Sequence, residues 1–160
     1  MPNTLQVRIR KFIKSIGQLK ETLHDPNLEF GFRFQYPNKK GRTFIIAKPK
    51  KKQGIEIQTM TKISPEHLKD LNEDKQKELF GIISKFFMIK EIHHKLDFKN
   101  KNYGLVYHLH YEDDSEIKVN TLSDTIRRLF FIDVCAVGII QEFSSGKFKS
   151  NGFGTPNFYS

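Results

Sequence analysis

The stretch from residue 120 to 143 constrains the fold most, because it places more apolar surface in one predicted helix than any other part of the chain. Thr121 and Asp124 have the spacing of a capping box, which predicts a helix start near residue 122. The apolar residues that follow recur at helical spacing and together cover most of the circumference of the helix. They are Leu122, Ile126, Leu129, Phe130, Phe131, Ile132, Val134, Cys135, Val137, Ile139 and Ile140. Charged residues such as Asp133 interrupt the run, so it does not provide the roughly 20 apolar residues that span a bilayer. We therefore expect a core helix or one that is shared between subunits.

Length and cysteine content favour a single intracellular domain. A chain of 160 residues can bury roughly 70 per cent of its unfolded surface without disulfides. The single cysteine, Cys135, excludes an internal disulfide and a cysteine-based zinc cluster, which is typical of a reducing compartment. The N-terminus lacks the pattern of a signal peptide, so we expect a cytoplasmic protein. We predict one domain over residues 1–143 and a flexible C-terminal tail over residues 144–160, where Gly, Ser and Asn are frequent.

Hydrophobic periodicity predicts two further helical regions. A first helix is expected over residues 4–24, ended by Pro26, because apolar residues alternate at steps of four and three; they are Leu5, Ile9, Phe12, Ile16, Leu19 and Leu23. Ser64 and Pro65 predict a short helix, and Asn72 can cap a longer segment that continues to residue 91.

Five segments have the period of a strand. The clearest example alternates Phe30, Phe32 and Phe34 with polar or small residues. Hairpin turns and short loops join neighbouring segments and favour antiparallel pairing. The predicted strands cover residues 28–36, 43–48, 55–62, 92–99 and 103–111.

The outward side chains of these strands form a mostly polar set, so one sheet face is expected to be wet and the helices to lie on the other. The predicted fold is therefore an α+β two-layer sandwich, with a five-stranded antiparallel sheet, helices on one face and the order α-β-β-β-α-β-β-α.

Positive charge is concentrated in the first part of the chain. Residues 1–63 contain 14 Lys and Arg against 4 Asp and Glu, although the whole chain has a net charge of +9. Two predicted hairpin loops carry candidate anion-binding residues, namely Lys39, Lys40 and Arg42 in one and Lys50, Lys51 and Lys52 in the other. They allow nucleic-acid binding through backbone electrostatics. The alternative is that these lysines keep the protein soluble and its sheet edges unpaired, and the wet face offers no aromatic side chains for base stacking.

The sequence gives little support for catalysis or for a cofactor. No phosphate-binding loop, nucleophile elbow or metalloprotease motif is present. His93, His108 and His110 are weak candidates for a metal site, because the predicted hairpin would bring them onto one wet face. Lys95 would share that face and repel a cation, and exposed polar residues are the ordinary alternative. We expect neither an enzyme nor a bound cofactor.

The apolar surface of the 120–143 helix has two interpretations. If the other helices do not cover it, the remainder must meet another subunit or a client polypeptide, since large exposed apolar patches are rare on monomers. An ordinary core helix is the alternative. The candidate interface residues are Ile126, Phe130, Phe131 and Val134.

The order of elements resembles the fold of the type III secretion chaperones, which are small dimeric proteins with helices on one side of an antiparallel sheet. The stretches Ile63 to Phe87 and Tyr111 to Leu129 are similar to those of an uncharacterised, mainly archaeal family with that fold. The resemblance covers about residues 3–143 and carries no catalytic motif. It implies a homodimer that binds other polypeptides without doing chemistry.

Overall fold

The protein has an α+β architecture, and a computed structural model describes residues 4–148. Its helices are α1 (Thr4–Ile16), α2 (Pro65–Leu68), α3 (Glu73–Ile89) and α4 (Val119–Ser144), and a 3-10 turn spans Asp114–Glu116. The strands are β1 (Gln18–Thr22), β2 (Leu28–Tyr36), β3 (Arg42–Pro49), β4 (Ile55–Lys62), β5 (His93–Asp97) and β6 (Asn102–Leu109). They form one sheet in the order β1-β2-β3-β4-β6-β5, and the pairs from β1 to β4 are antiparallel.

The sheet has six strands, so the prediction of five strands and of a first helix over residues 4–24 was wrong. Helix α1 ends at Ile16, and the next residues form β1, which pairs with β2 from Gln18 opposite Gln35. Gly17 makes the change of direction possible, because a Cβ atom at this position would collide with the carbonyl oxygen of Gln35. The helical spacing of leucines beyond residue 16 was therefore coincidental: Leu23 follows β1 and covers Gly31 of β2.

The caps predicted at Ser64 and Asn72 and most predicted strands are present, whereas the capping box predicted at Thr121 and Asp124 was wrong because both residues lie inside α4. Ser64 accepts a hydrogen bond from the N–H of Glu66, and Asn72 accepts one of 2.8 Å from the N–H of Lys75. Strands β2 and β4 have the predicted bounds. In β2 the alternate phenylalanines are buried, as the period of two requires. Local sequence patterns thus indicate where these elements begin and end.

The contacts of the chain define two compact units, and β4, β6 and α4 pass from one to the other. Among the described residues, the first unit contains 4–60 and 106–129, and in it α1 packs against β1 and β2. Its core includes Leu5, Ile9, Phe12, Ile13, Phe30, Phe32, Phe34, Phe44, Ile46 and Ile57. Among the described residues, the second unit contains 61–105 and 130–148, and in it α3 contacts β5. Its core includes Leu79, Ile83, Phe87, Tyr103, Leu105, Ile132, Ala136 and Ile140.

Helix α4 begins three residues before the predicted start and ends at Ser144. Gly146 has a φ of 77°, and the N–H groups of Lys147 and Phe148 then donate to the carbonyl oxygen of Glu142. These residues cap α4, although they belong to the predicted tail. The rest of that tail, residues 149–160, lies outside the described residues. None of the described helices is long and apolar enough to cross a membrane.

Candidate interaction surfaces

The exposed side of α4 has an apolar centre. Phe131 is 66% exposed and Val134 is 42% exposed, and Gly138 follows on the same side of the helix. The side as a whole consists of residues that alternate at steps of four and three, namely Asn120, Asp124, Arg127, Phe131, Val134, Gly138 and Gln141. Its two ends are polar, whereas its middle offers an aromatic ring, a branched side chain and bare backbone. Such a surface is suited to packing against another apolar surface.

The structure divides the candidate interface residues between the two sides of α4. Phe131 and Val134 lie on the exposed side, and Phe130 is only partly exposed. Ile126 has no exposed surface because it faces the core, so it is not available to a partner. The sequence could not separate these residues, since apolar residues surround most of this helix. The candidate interface is therefore Phe131 and Val134, with Phe130 at its edge.

A buried carboxylate lies on the opposite side of the same helix. Asp133 is fully buried and accepts hydrogen bonds from Thr61 Oγ1 at 2.9 Å and from the Tyr103 hydroxyl at 2.6 Å. The ring of Tyr103 also contacts Phe87, with 5.3 Å between centroids. Sequence reasoning treated Asp133 only as an interruption of the apolar stripe. A lone carboxylate at helical spacing among core residues is the signal that could have identified this buried polar group.

Lys48, at the start of the basic β3–β4 loop, is engaged within the chain. Its ammonium group lies 3.2 Å from Glu29 and 3.1 Å from Asp114, and its side chain is only 14% exposed. Burial lowers the pKa of Lys48, but the hydrogen bonds to Asp114 and Glu29 outweigh this effect and raise the pKa above its ordinary value of 10.5. Lys48 is thus a structural residue of the first unit.

The candidate anion-binding residues of this loop face a cavity of mixed charge. The cavity has a volume of about 300 Å³ and is lined by Glu29, Lys48, Lys50, Lys51, Lys52, Gln53, Gly54, Tyr111, Glu112 and Asp114. Lys52 also pairs with Glu56 at 3.2 Å. Burial raises the pKa of Tyr111, which is one of the lining residues. An anion in this cavity would therefore meet carboxylates as well as ammonium groups.

The other candidate anion-binding residues lie at the opposite end of β3. Lys39 and Lys40 line a cavity of about 510 Å³ together with Gly17, Gln18 and Asn38, and Arg42 begins the strand. Strand β3 has eight residues, so the two loops are separated by about 26 Å at 3.3 Å per residue. The predicted anion-binding residues therefore form two separate clusters.

The three candidate histidines do not form a metal site within residues 4–148, where no group of three or more metal-ligating side chains is found. His93 and His110 are exposed, and His108 Nδ1 lies 3.4 Å from Glu56 Oε1. His108 and His110 line a cavity of about 480 Å³ that also contains Lys52. His94, which sequence reasoning did not consider, lies 3.0 Å from the hydroxyl of Ser84 through its Nε2 atom.

These features define an α+β protein with a six-stranded sheet, an apolar patch on its longest helix and two separate basic loops. The chain belongs to the family of uncharacterized conserved proteins DUF2299, which it matches over residues 5–139. Its fold is similar to the crystal structure of an uncharacterized protein from Methanothermobacter thermautotrophicus. The TM-score is 0.72 at 22% identity, over 86% of this chain and 97% of that protein. No curated protein matches the chain.

Proposed function

We propose that the protein is a non-enzymatic, homodimeric module that binds other polypeptides, with a two-layer fold like that of the type III secretion chaperones. The observation that supports this proposal is the apolar centre of the exposed side of α4. Phe131 and Val134 are neighbours one helical turn apart, so they form one patch rather than two isolated exposed residues. Removing the exposed parts of both side chains from water would contribute about 1–2 kcal/mol each to association.

Two exposed methionines support polypeptide binding outside α4. Met60 on β4 is 69% exposed, and Met88 near the end of α3 is 67% exposed. Methionine is unbranched and polarisable, so it adapts to apolar side chains of different shapes. Each of these methionines is a contact point for an apolar segment of a client polypeptide.

A permanently unfolded polypeptide tests client binding, for example reduced and carboxymethylated lactalbumin with a fluorescent label. We expect the fluorescence anisotropy of the labelled polypeptide to rise with protein concentration. The binding should persist at about 0.5 M salt, because salt does not screen apolar contacts. Met60→Ser and Met88→Ser should weaken binding, whereas Lys51→Ser should not. No binding to the unfolded polypeptide, or binding that disappears with salt, would contradict the proposal.

Nucleic-acid binding is the alternative function, and the exposure of Lys39, Lys40, Lys50 and Lys51 favours it. The contacts of Lys48 and Lys52 with carboxylates weaken this alternative, since they neutralise part of the charge. A titration of single-stranded and duplex DNA at several salt concentrations separates the two functions. Nucleic-acid binding requires an affinity that falls steeply with salt, with a slope that decreases when these lysines are removed.

A further inference from the structure

We infer that two copies of the chain associate through antiparallel α4 helices, with Phe131 of each copy packed over Gly138 of the other. This inference rests on the proposed homodimer and specifies its contact. The two-fold axis would pass beside Val134 and Cys135. A contact of this kind is self-complementary, because each copy contributes both the aromatic ring and the space that receives it.

Gly138 supplies the space. It lies within a helix of 26 residues, where glycine is a poor helix former, and a Cβ atom added at this position would meet nothing within 4 Å. Packing among the described residues, 4–148, therefore does not explain the glycine. Glycine does allow the close approach of a second helix or of a large side chain from it. Phe131 lies two helical turns before Gly138 on the same side of α4. Its side chain is 66% exposed and has a suitable size to fill this space in a second copy.

The spacing of the exposed side suits helix packing. Its residues alternate at steps of four and three, which is the spacing that keeps one seam of a helix against a partner helix. In an antiparallel pair of identical helices, the numbers of two residues that face each other always add up to the same sum. Aligning Phe131 with Gly138 therefore places Val134 beside Cys135 near the axis.

Charge favours the antiparallel pair. The same alignment places Arg127 of one copy opposite Glu142 of the other, and this contact occurs twice because of the symmetry. Both residues are exposed, and Arg127 makes an exposed contact of 4.0 Å with Asp124. A parallel two-fold pair would instead bring Arg127 against Arg127, which is a repulsive arrangement.

A charge exchange tests the alignment. We expect Arg127→Glu and Glu142→Arg each to raise the dissociation constant of the dimer about tenfold in sedimentation equilibrium. The double variant should return it to within about threefold of the wild-type value, since the opposite charges face each other again. If the two effects multiply in the double variant instead, the alignment is wrong. Circular dichroism on all three variants checks that they are folded.

A disulfide cross-link provides a second test. In a Cys135→Ser background, Val134→Cys should form a covalent dimer under mild oxidation, because the two copies of residue 134 lie on either side of the two-fold axis, each one residue away from the position that it faces. Met88→Cys in the same background is the matched control, since Met88 is as exposed as Phe131 but lies on α3, and it should remain uncross-linked. A wild-type protein that is monomeric would overturn both the proposed homodimer and this contact. A dimer that shows neither charge rescue nor the Val134 cross-link would overturn the contact alone.

Glycine substitutions complete the test. Gly138→Leu should weaken the dimer at least about tenfold, because the leucine occupies the space of Phe131 from the second copy. Gly81→Leu is the control: like the half-buried Gly138, the exposed Gly81 lies within a helix, and an added Cβ there meets nothing within 4 Å among the described residues. Equal effects of the two substitutions on dimerisation would contradict the inferred role of Gly138.

Discussion

Asp133 and Phe131 lie two residues apart on α4, yet the carboxylate is fully buried and the aromatic ring is 66% exposed. Polarity alone would predict the reverse. Asp133 is stable in the core because the hydroxyls of Thr61 and Tyr103 donate to it. For Phe131, the exposed two-thirds of the ring is covered by nothing in the described part of the chain.

The difference shows that burial follows the available partners rather than residue type. The basic β3–β4 loop supports the same conclusion: Lys48 is charged but has Glu29 and Asp114 as internal partners. An excess of charge therefore need not indicate an external ligand. An exposed apolar patch without internal cover is the stronger indication of a partner.

The largest expected effect concerns the buried side of α4. Asp133→Ala leaves the hydroxyls of Thr61 and Tyr103 without their acceptor, so we expect the free energy of unfolding to fall by about 2–4 kcal/mol. Urea denaturation followed by circular dichroism measures it. Asp124→Ala, on the exposed side of the same helix, should change stability by less than about 0.5 kcal/mol. Similar losses of unfolding free energy for both variants would contradict the structural difference between the buried and exposed sides of α4.

A substitution on the exposed side of α4 should weaken the proposed dimer without changing the stability of the fold. Phe131→Asp should destabilise the proposed dimer by at least about 2 kcal/mol, because it places a charge at the centre of the proposed contact. The fold itself should be preserved, since the ring is largely exposed within the chain. Met88→Asp changes a side chain of equal exposure on α3 and serves as the control. The interpretation fails if Phe131→Asp unfolds the protein or leaves the dimer intact.

The Lys48 cluster predicts a loss of stability at alkaline pH. The pKa values of Lys48 and Tyr111 are raised in the folded protein above their ordinary values of 10.5 and 10.0. A group with a raised pKa contributes stability that is complete below its unfolded pKa and is lost as pH rises through its folded pKa. The free energy of unfolding should therefore be unaffected by these groups below about pH 9 and should fall above about pH 10.

Lys48→Met should cost about 1 kcal/mol at neutral pH and make the alkaline decline less steep. Lys52→Met is the control, because the Lys52 side chain is 65% exposed in its contact with Glu56. Chemical denaturation at pH values between about 7 and 11 gives both slopes. Equal slopes for wild type and Lys48→Met would contradict the structural role of Lys48.

The smallest effect is expected from the loop lysines. Changing Lys50, Lys51 and Lys52 together to Ala should alter stability by no more than about 0.5 kcal/mol and leave the proposed dimer unchanged. Sedimentation equilibrium and urea denaturation test both expectations. If the triple variant instead loses a bound nucleic acid that the wild type carries, the basic loops are the functional surface.

Local patterns in the sequence predicted much of the fold, because caps and strand alternation depend on neighbouring residues. The bounds of β2 and the cap at Asn72 are examples. Strand β1 was missed because Leu19 within it and Leu23 directly after it continue the helical spacing of α1, and only the approach of Gly17 to Gln35 distinguishes the two. The partners of Lys48 and Asp133 were also beyond local patterns, since Asp114 and Thr61 are 66 and 72 residues away in the chain.

The molar mass of the purified full chain in solution is the most direct test of the proposed homodimer. Light scattering of the wild-type protein should give twice the chain mass of 18.8 kDa over a range of concentrations. The Phe131→Asp variant should have the mass of a single chain at low concentration. The chain contains no Trp and 5 Tyr, so absorbance recorded at the same time reveals any bound nucleic acid. A mass of one chain at every concentration would contradict the assignment of the exposed side of α4 as an interface.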